Sequence, residues 1–301
     1  MDIVVTIARF KEALATRNYS KATVNVYSRS LSYFSGWLKD KGITDLKQIN
    51  AQVINDYQIA IRQRPLSEHT KAVYLRPVKR LFEHLTASNR LLINPAQGIV
   101  EARRSKYTLA PVLSRGQVKR LLDQPNLSNP TGLRDRAILE VLYATAIRRG
   151  ELLGLCIYDV DLADKVLYIR KAKNRIQRVV PLTKTAASYL KEYLTHIRPR
   201  WAKKVPKQRK LFLNISGQTL TGGTLQHMIR RHRLEAKIKC TVSAHTLRRS
   251  CATHMLRRGA DIRYVQALLG HANLKTTQIY TRVASKQIKQ THNQAHPGKN
   301  L

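Results

Sequence analysis

The sequence predicts a mainly α-helical protein with a small β-sheet, divided into two domains. Apolar residues recur at helical spacing through the first hundred residues, whereas the second half adds two β-like segments to helical ones. Between these halves the periodicity is lost and Pro111 interrupts the chain, which indicates a linker. The expected divisions are a helical domain over 1–98, a linker over 99–112, a mixed α/β domain over 113–285 and a polar tail over 286–301.

Three helices are expected in the first domain. Residues 20–42 begin with a capping Ser20, end at Gly42 and carry an apolar residue at every third or fourth position between them. A second helix fits residues 51–62, and a third begins after Ser67. Pro77 falls inside this third helix and is expected to kink it or split it in two, because proline removes a backbone donor.

The second domain is predicted to alternate helices with a hairpin. A short helix follows Ser114, and a strongly apolar helix is followed by a break and another helix in YATAIRRGELLGL. The segments 166–170 and 178–182 flank a polar stretch and favour a β-hairpin, and residues 184–194 favour a helix. KLFLN is strand-like, and short helices are expected from Gly222 to about Val283.

The charge of the chain points to a polyanionic partner. Its 55 Lys and Arg against 18 Asp and Glu give a formal net charge of +37, which opposes compaction through self-repulsion. The excess is +8 over residues 1–100 and +29 over residues 101–301. Nucleic acid, an anionic membrane or an acidic protein would suit this charge. Because no signal peptide and no apolar run of membrane-spanning length is found, nucleic acid is the leading partner.

The cysteines and histidines favour neither a disulfide framework nor a metal centre. Cys156, Cys240 and Cys251 are few, odd in number and unclustered, as in a reducing compartment. His227 and His232 are five residues apart with no Cys or acid in register. They are therefore interpreted as surface or DNA-facing residues.

A set of residues suited to a phosphodiester runs through the second domain. Arg148 lies at the break between two helices, and Glu151 follows close enough to hold it by a charge-assisted hydrogen bond. AHTLRRS places His245 and Arg248 on one face of a helix start, with Ser243 as its cap. The other members are Lys171 and Lys173 at the hairpin tip, His271 after a glycine, and Tyr280 nine residues later. Each feature alone is common, but the ordered set is specific.

Over about residues 10–285 the sequence resembles the tyrosine recombinase (phage integrase) family, which includes the Xer-type site-specific recombinases. The resemblance is strongest in YATAIRRGELLGL, in AHTLRRSCATHMLRRGADIRYVQALLGH and in TTQIYTRV. It implies a nucleophile at Tyr280 and a supporting acid at Glu151. The remaining catalytic residues that it implies are Arg148, Lys173, His245, Arg248 and His271.

The chain departs from the family pattern at three places. Ala146 stands where the family usually has glycine, and Cys251 replaces a common aromatic residue as an expected core substitution. The hairpin reads KAKNRIQR, without the usual glycines. Lys171 therefore remains a competitor for the role of Lys173.

The resemblance also implies an architecture and a reaction. A helical core-binding domain and a catalytic domain would close as a clamp on duplex DNA with inverted core-site repeats. Four copies would exchange strands through a 3′-phosphotyrosine and a Holliday junction, without metal, ATP or another cofactor. The protein would act in the cytoplasm on the nucleoid, with accessory proteins as an optional addition and no membrane partner. The predicted role is integration, excision or resolution of a mobile element, and no further N-terminal DNA-binding domain is expected.

Further basic residues are candidates for contacts with the DNA backbone. Three lie in the linker, where a solvated connector is an equally good interpretation. The candidates are Arg103, Arg104, Lys106, Lys171, Arg175 and Arg249.

Two other functions remain open from the residues. A DNA-binding protein without catalysis would need only the positive charge, and a type IB topoisomerase-like enzyme would share the tyrosine chemistry. Formation of a covalent adduct separates the first from a recombinase, and sequence-independent relaxation would favour the second.

Overall fold

The predicted fold class is confirmed by a computed structural model that describes residues 2–17, 19–100, 111–170, 177–270 and 298. The described residues form twelve α-helices and one three-stranded sheet. The chain divides into two compact units, Met1–Thr108 and Leu109–Leu301. Within the described ranges, no helix combines the length and the apolar character that crossing a bilayer requires.

The first unit is a bundle of four helices, each begun by a side-chain cap. Asp2, Ser20, Asn50 and Ser67 each accept a hydrogen bond from a backbone N–H of the first turn, so the exposed donors at each helix start are satisfied. The helices are α1 (Ile3–Thr16), α2 (Lys21–Asp40), α3 (Ala51–Gln63) and α4 (Glu68–Ala87), with a 3-10 turn at Leu46–Gln48. The three helices expected from the sequence are confirmed, and α1 is an addition to them.

Of the kink or split that the sequence predicts for the third helix at Pro77, the split is wrong, because α4 runs through this residue. A proline inside a helix has no backbone N–H, so the carbonyl four residues earlier loses its usual donor. In α4 this is the carbonyl of Val73. The hydroxyl of Ser30 on α2 donates to that carbonyl at 3.0 Å, and Ser30 is buried. The neighbouring helix therefore replaces the bond that proline removes.

The described residues of the second unit form eight helices and the sheet. The helix α8 continues through a π-helical turn at Tyr193–Ile197 into α9, and a 3-10 turn at Ile157–Asp159 precedes the first strand. The elements are α5 (Arg115–Leu122), α6 (Pro130–Thr145), α7 (Arg149–Gly154), β1 (Val160–Asp161), β2 (Val166–Ile169), β3 (Arg178–Pro181), α8 (Lys184–Glu192), α9 (Arg198–Ala202), α10 (Gly222–Glu235), α11 (Ala244–Arg257) and α12 (Ile262–Leu269).

The predicted hairpin is confirmed as the antiparallel pair β2–β3, and β1 pairs with the other edge of β2. The register places Ile169 opposite Arg178 and Leu167 opposite Val180. The strand expected at KLFLN does not form, since residues 210–214 make only isolated bridges from Lys210 and Leu213. Its apolar run reflects burial in the core instead of strand pairing.

Helix α6 is the centre of the second unit. All its residues from Ala137 to Thr145 are buried, and α8 and α11 pack against it. Cys251 of α11 belongs to the same core, as expected, and burial raises the pKa of its thiol to about 12. The helix ends directly before the segment that carries Arg148, so a rigid support holds that segment.

The interpretation of His232 as a surface or DNA-facing residue is wrong. His232 is only 3% exposed, whereas His227 is exposed. The two ring nitrogens of His232 lie 3.1 Å from Oδ2 of the fully buried Asp135 and 2.7 Å from Oε2 of Glu235. The histidine thus joins α10 to α6 within a buried polar network, which sequence spacing alone does not reveal.

Ala146, which ends α6, adopts the left-handed conformation with φ of 52° and ψ of 26°. A side chain with a Cβ is strained in this region, which explains why glycine suits the position. The strained backbone is held in place, because Ala146 is fully buried and its carbonyl accepts a hydrogen bond from Arg248.

We expect Ala146→Gly to be less destabilising than Ala144→Gly, a matched loss of one buried methyl group inside α6. Both variants remove equal apolar area, so their difference reports the backbone: glycine relieves strain at 146 and weakens the helix at 144. The difference in unfolding free energy is expected to be about 1–2 kcal/mol. Calorimetry of both variants measures it, and equal losses of Tm would contradict the strain.

Candidate active site

Arg148 is held at the start of α7 by Glu151. The backbone N–H of Arg148 donates to Glu151 Oε2 at 2.8 Å, and its Nη1 donates to Glu151 Oε1 at 2.9 Å. The predicted ion pair is therefore present, and the same carboxylate satisfies a donor at the helix start. Because the side chain of Arg148 remains 30% exposed, its guanidinium is fixed from one side and accessible from the other.

Arg178, at the start of β3, is a site residue that sequence reasoning missed. Its Nη1 and Nη2 donate to the two oxygens of Glu151 at 3.0 and 2.7 Å, and its side chain is 8% exposed. A signal was available in the strand, since Arg178 and the buried Val180 share one face of β3. An arginine on the core face of a strand requires buried hydrogen-bond acceptors, and here Glu151 supplies two of them.

The two arginines keep Glu151 ionised. Burial opposes its charge, but hydrogen bonds from Arg178, from the Arg148 backbone and from the Arg148 side chain outweigh it, so the pKa falls to about 2. The carboxylate bridges two cations that would otherwise repel each other.

Helix α11 supplies a third arginine, Arg248, and the histidine His245. Ser243 caps the helix as predicted, and it places His245 and Arg248 in the first two turns. Arg248 is 3% exposed and donates through Nη1 to the carbonyl of Ala146 at 2.7 Å. Burial, followed by the charge of Arg148, lowers the pKa of Arg248 to about 10.

His245 lies at the surface of this arginine cluster. Its side chain is exposed, yet partial desolvation and the charges of Arg249, Arg248 and Arg148 lower the pKa of the imidazole. The ring is therefore favoured in its neutral form, which accepts a proton. Arg249 itself is half-buried, with Nη1 3.4 Å from the carbonyl of Pro111.

Three arginines converge on the C-terminal end of α12. Successive carbonyls at that end accept from three different guanidiniums: Leu268 from Arg178 Nε at 3.0 Å, Leu269 from Arg248 Nη2 at 2.6 Å and Gly270 from Arg148 Nη2 at 2.9 Å. Helix ends leave such carbonyls unpaired and carry a partial negative charge. The end of α12 and the carboxylate of Glu151 thus gather three like charges in one place.

The remaining predicted site residues lie outside the described ranges. They are Arg103, Arg104, Lys106, Lys171, Lys173, Arg175, His271 and Tyr280. The described part of the site therefore consists of Arg148, Glu151, Arg178, His245 and Arg248. Within the described ranges, no three His, Cys, Asp or Glu side chains come together as a metal site would require.

This arrangement is suited to binding an anionic group that carries two or more oxygens. Two arginine side chains offer planar sets of donors, and a neutral imidazole lies beside them. Electrostatic stabilisation of this kind is strongest where the donors are held in place before the ligand arrives.

Comparison with known proteins matches both units to family models. Residues 111–287 match the phage integrase family, and residues 7–89 match the phage integrase N-terminal SAM-like domain. The chain is 35% identical over 294 residues to tyrosine recombinase XerC 2 of Ralstonia nicotianae, covering 96% of this chain and 84% of the relative. It is 36% identical over 288 residues to tyrosine recombinase XerD of Listeria monocytogenes, covering 94% and 95%.

A solved structure of XerH site-specific recombinase has a similar fold. That structure is a post-cleavage complex with a palindromic difH substrate. It is 25% identical in sequence, has a TM-score of 0.66, and covers 92% of this chain and 81% of its own.

We expect His245 to titrate below 6.5, and Arg249→Gln to raise its pKa by removing a nearby positive charge. Arg257→Gln is the matched control, because burial and, in addition, the charge of Arg257 lower the pKa of His254 at the other end of α11. Each substitution should shift its own histidine and leave the other unchanged when the imidazole resonances are followed by NMR against pH. A shift of both histidines by either variant would contradict the local electrostatic cause.

Proposed function

Because the chain belongs to the phage integrase family, we infer that it is a site-specific DNA recombinase. It cleaves and rejoins duplex DNA through a 3′-phosphotyrosine intermediate and a Holliday junction. The single observation that supports this best is the convergence of Arg148 and Arg248 on successive carbonyls at the end of α12, with His245 beside them. Such a site recognises a phosphodiester.

The reaction is an in-line displacement at phosphorus. The Oη of Tyr280 forms a bond to phosphorus while the bond to the deoxyribose 5′ oxygen breaks. Arg148 and Arg248 donate to the non-bridging oxygens, where negative charge develops, and His271 adds a further donor. Loss of one preorganised donor of this type slows a reaction by about 100- to 1000-fold.

Two proton transfers accompany the displacement. A free tyrosine has a pKa of about 10, so its phenol needs activation at neutral pH. His245 accepts that proton, and the lowered pKa of its imidazole keeps the ring neutral and ready to do so. Lys173 gives a proton to the leaving 5′ oxygen, with Lys171 as the competing candidate.

Rejoining reverses these steps. The phosphotyrosine bond retains the energy of the broken phosphodiester, so the 5′ hydroxyl of another strand can attack it without ATP. We assign no metal to the reaction, because the arginines supply the charge that a metal ion would otherwise provide.

The proposed substrate is duplex DNA with inverted core-site repeats, held by four copies of the chain that together join two sites. The net charge of +37 fits close approach of several copies to polyphosphate chains. The protein would act on the nucleoid. The proposed role is integration, excision or resolution of a mobile element, and the nearly equal identity to XerC and XerD relatives favours no one reaction among these.

We expect Tyr280→Phe to form no covalent adduct on a suicide substrate nicked beside its site, while it binds DNA as the parent does. The phenylalanine ring keeps the shape of tyrosine but lacks the attacking oxygen. Tyr264→Phe on α12 is the matched control and should retain the adduct in a denaturing gel.

The same assay distinguishes the alternatives. An adduct with Tyr280→Phe would show that the nucleophile is assigned wrongly. Binding without any adduct by the parent would favour a DNA-binding protein without catalysis, and relaxation of any supercoiled DNA would favour a topoisomerase-like enzyme.

A substrate with sulfur in place of the 5′ bridging oxygen identifies the general acid. A thiolate leaves without a proton, whereas an alkoxide needs one, and general acid catalysis contributes about 10²- to 10⁴-fold. We therefore expect Lys173→Met to cleave normal DNA slowly and the sulfur substrate at the parental rate. Lys171→Met should behave like the parent on both, and the reverse pattern would move the role to Lys171.

A further inference from the structure

We propose that Arg178 is a positioning residue for strand cleavage, which sets both the charge of Glu151 and the point at which the chain leaves α12. The inference rests on the proposed function, and it assigns Arg178 no contact with DNA. Its side chain is only 8% exposed, so it acts through the groups that it touches.

All three nitrogens of the Arg178 guanidinium are engaged. Nη1 and Nη2 bind the two oxygens of Glu151, and Nε binds the carbonyl of Leu268. One planar side chain therefore connects β3, α7 and the end of α12. A lysine has a single ammonium group and cannot reproduce this fork.

The first consequence concerns the charge of Glu151. The side chain of Glu151 is only 3% exposed, and burial by itself would raise its pKa. Without Arg178, the carboxylate would lose two of its four hydrogen bonds and the nearer of its two arginine partners. A protonated Glu151 would hold Arg148 less firmly, because the charge-assisted bond to Nη1 would lose its charge.

A second buried pair in the same unit shows what this arrangement adds. Glu140 is also buried and binds Arg136 through Nε at 2.9 Å, while Arg136 Nη1 donates to the carbonyl of Leu122. Burial is the dominant effect there, so the pKa of Glu140 is raised, whereas that of Glu151 is lowered. Glu151 has a second arginine and a backbone N–H, whereas the nearby charge of Asp123 further raises the pKa of Glu140.

The second consequence concerns the end of α12. Gly270 has a positive φ of 61°, and a Cβ built there would lie 2.9 Å from Nη1 of Arg178. The backbone therefore passes directly over the guanidinium. His271 and Tyr280, the proposed donor and nucleophile, follow Gly270 in the sequence. The contact of Arg178 with Gly270 therefore fixes the backbone position from which their segment starts.

The test compares Arg178→Met with Arg136→Met, which removes another largely buried arginine that binds a glutamate, a carbonyl and, in addition, Asp123. Single-turnover cleavage of a nicked substrate is measured from pH 4.5 to 8.5, beside DNA affinity and Tm. We expect Arg178→Met to bind DNA within about 3-fold of the parent and to cleave about 100-fold more slowly at pH 8, the loss of one preorganised interaction. Arg136→Met should lower Tm and keep the parental cleavage profile.

The pH dependence separates positioning from general destabilisation. In the parent, Glu151 has a pKa of about 2 and stays ionised throughout the range. In Arg178→Met the buried carboxylate keeps only one arginine, as Glu140 does, so its pKa should rise above the ordinary glutamate value of about 4.3. The ratio of variant to parental rate should therefore fall towards the acid end of the range. Adding Glu151→Gln to Arg178→Met removes the titrating group and should make that ratio independent of pH.

Carbon NMR of the glutamate carboxyls provides a readout that needs no activity. It should show a raised pKa of Glu151 in Arg178→Met and an unchanged pKa of Glu151 in Arg136→Met. An unchanged pKa, or a rate ratio that is flat with pH, would overturn the inference. A parent that forms no adduct would contradict the proposed function, while the titration still decides the role of Arg178. If Arg178→Met does not fold, Arg178→Lys replaces it, with the same direction of change in both measurements.

Discussion

The second unit depends on one constraint, the gathering of three arginines in a small space. The three guanidiniums repel one another, and burial raises the free energy of each charged group. The carboxylate of Glu151 neutralises part of the charge, and the carbonyl end of α12 supplies three further acceptors. These partners do not offset the whole effect, because burial and the charge of Arg148 still lower the pKa of Arg248.

The site is built from the ends of elements, while their middles form the core. Arg148 precedes α7, Arg178 opens β3, Arg248 lies near the start of α11, and Gly270 follows α12. Element ends expose unpaired backbone groups, and here those groups are bonding partners for the functional side chains. The buried helix α6 supports the arrangement because it leads directly to Ala146, whose carbonyl holds Arg248.

The charge of the chain is managed differently inside and outside. Buried arginines hydrogen-bond to internal acceptors. Arg134 binds the fully buried Asp135, which also binds Arg231 and His232 of α10. Arg198 donates to the carbonyls of Gln208, Lys210 and Leu211. The much larger surplus of +37 has too few acids to pair with. We propose that a polyanion relieves this repulsion, which would connect the net charge of the chain with the proposed phosphodiester site.

The sequence by itself determined the fold class, several helix starts and the local parts of the site. Caps such as Ser243, the Arg148–Glu151 pair and the shared face of His245 and Arg248 act over three or four residues, so spacing reveals them. Only the tertiary structure decided the partners of Arg178 and His232, the continuity of α4 at Pro77 and the burial of KLFLN. In each case the deciding group lies on another element of the fold, 27 residues away for Glu151 and Arg178 and 97 for Asp135 and His232. A pattern read along one segment contains no information about such contacts, because packing between segments creates them.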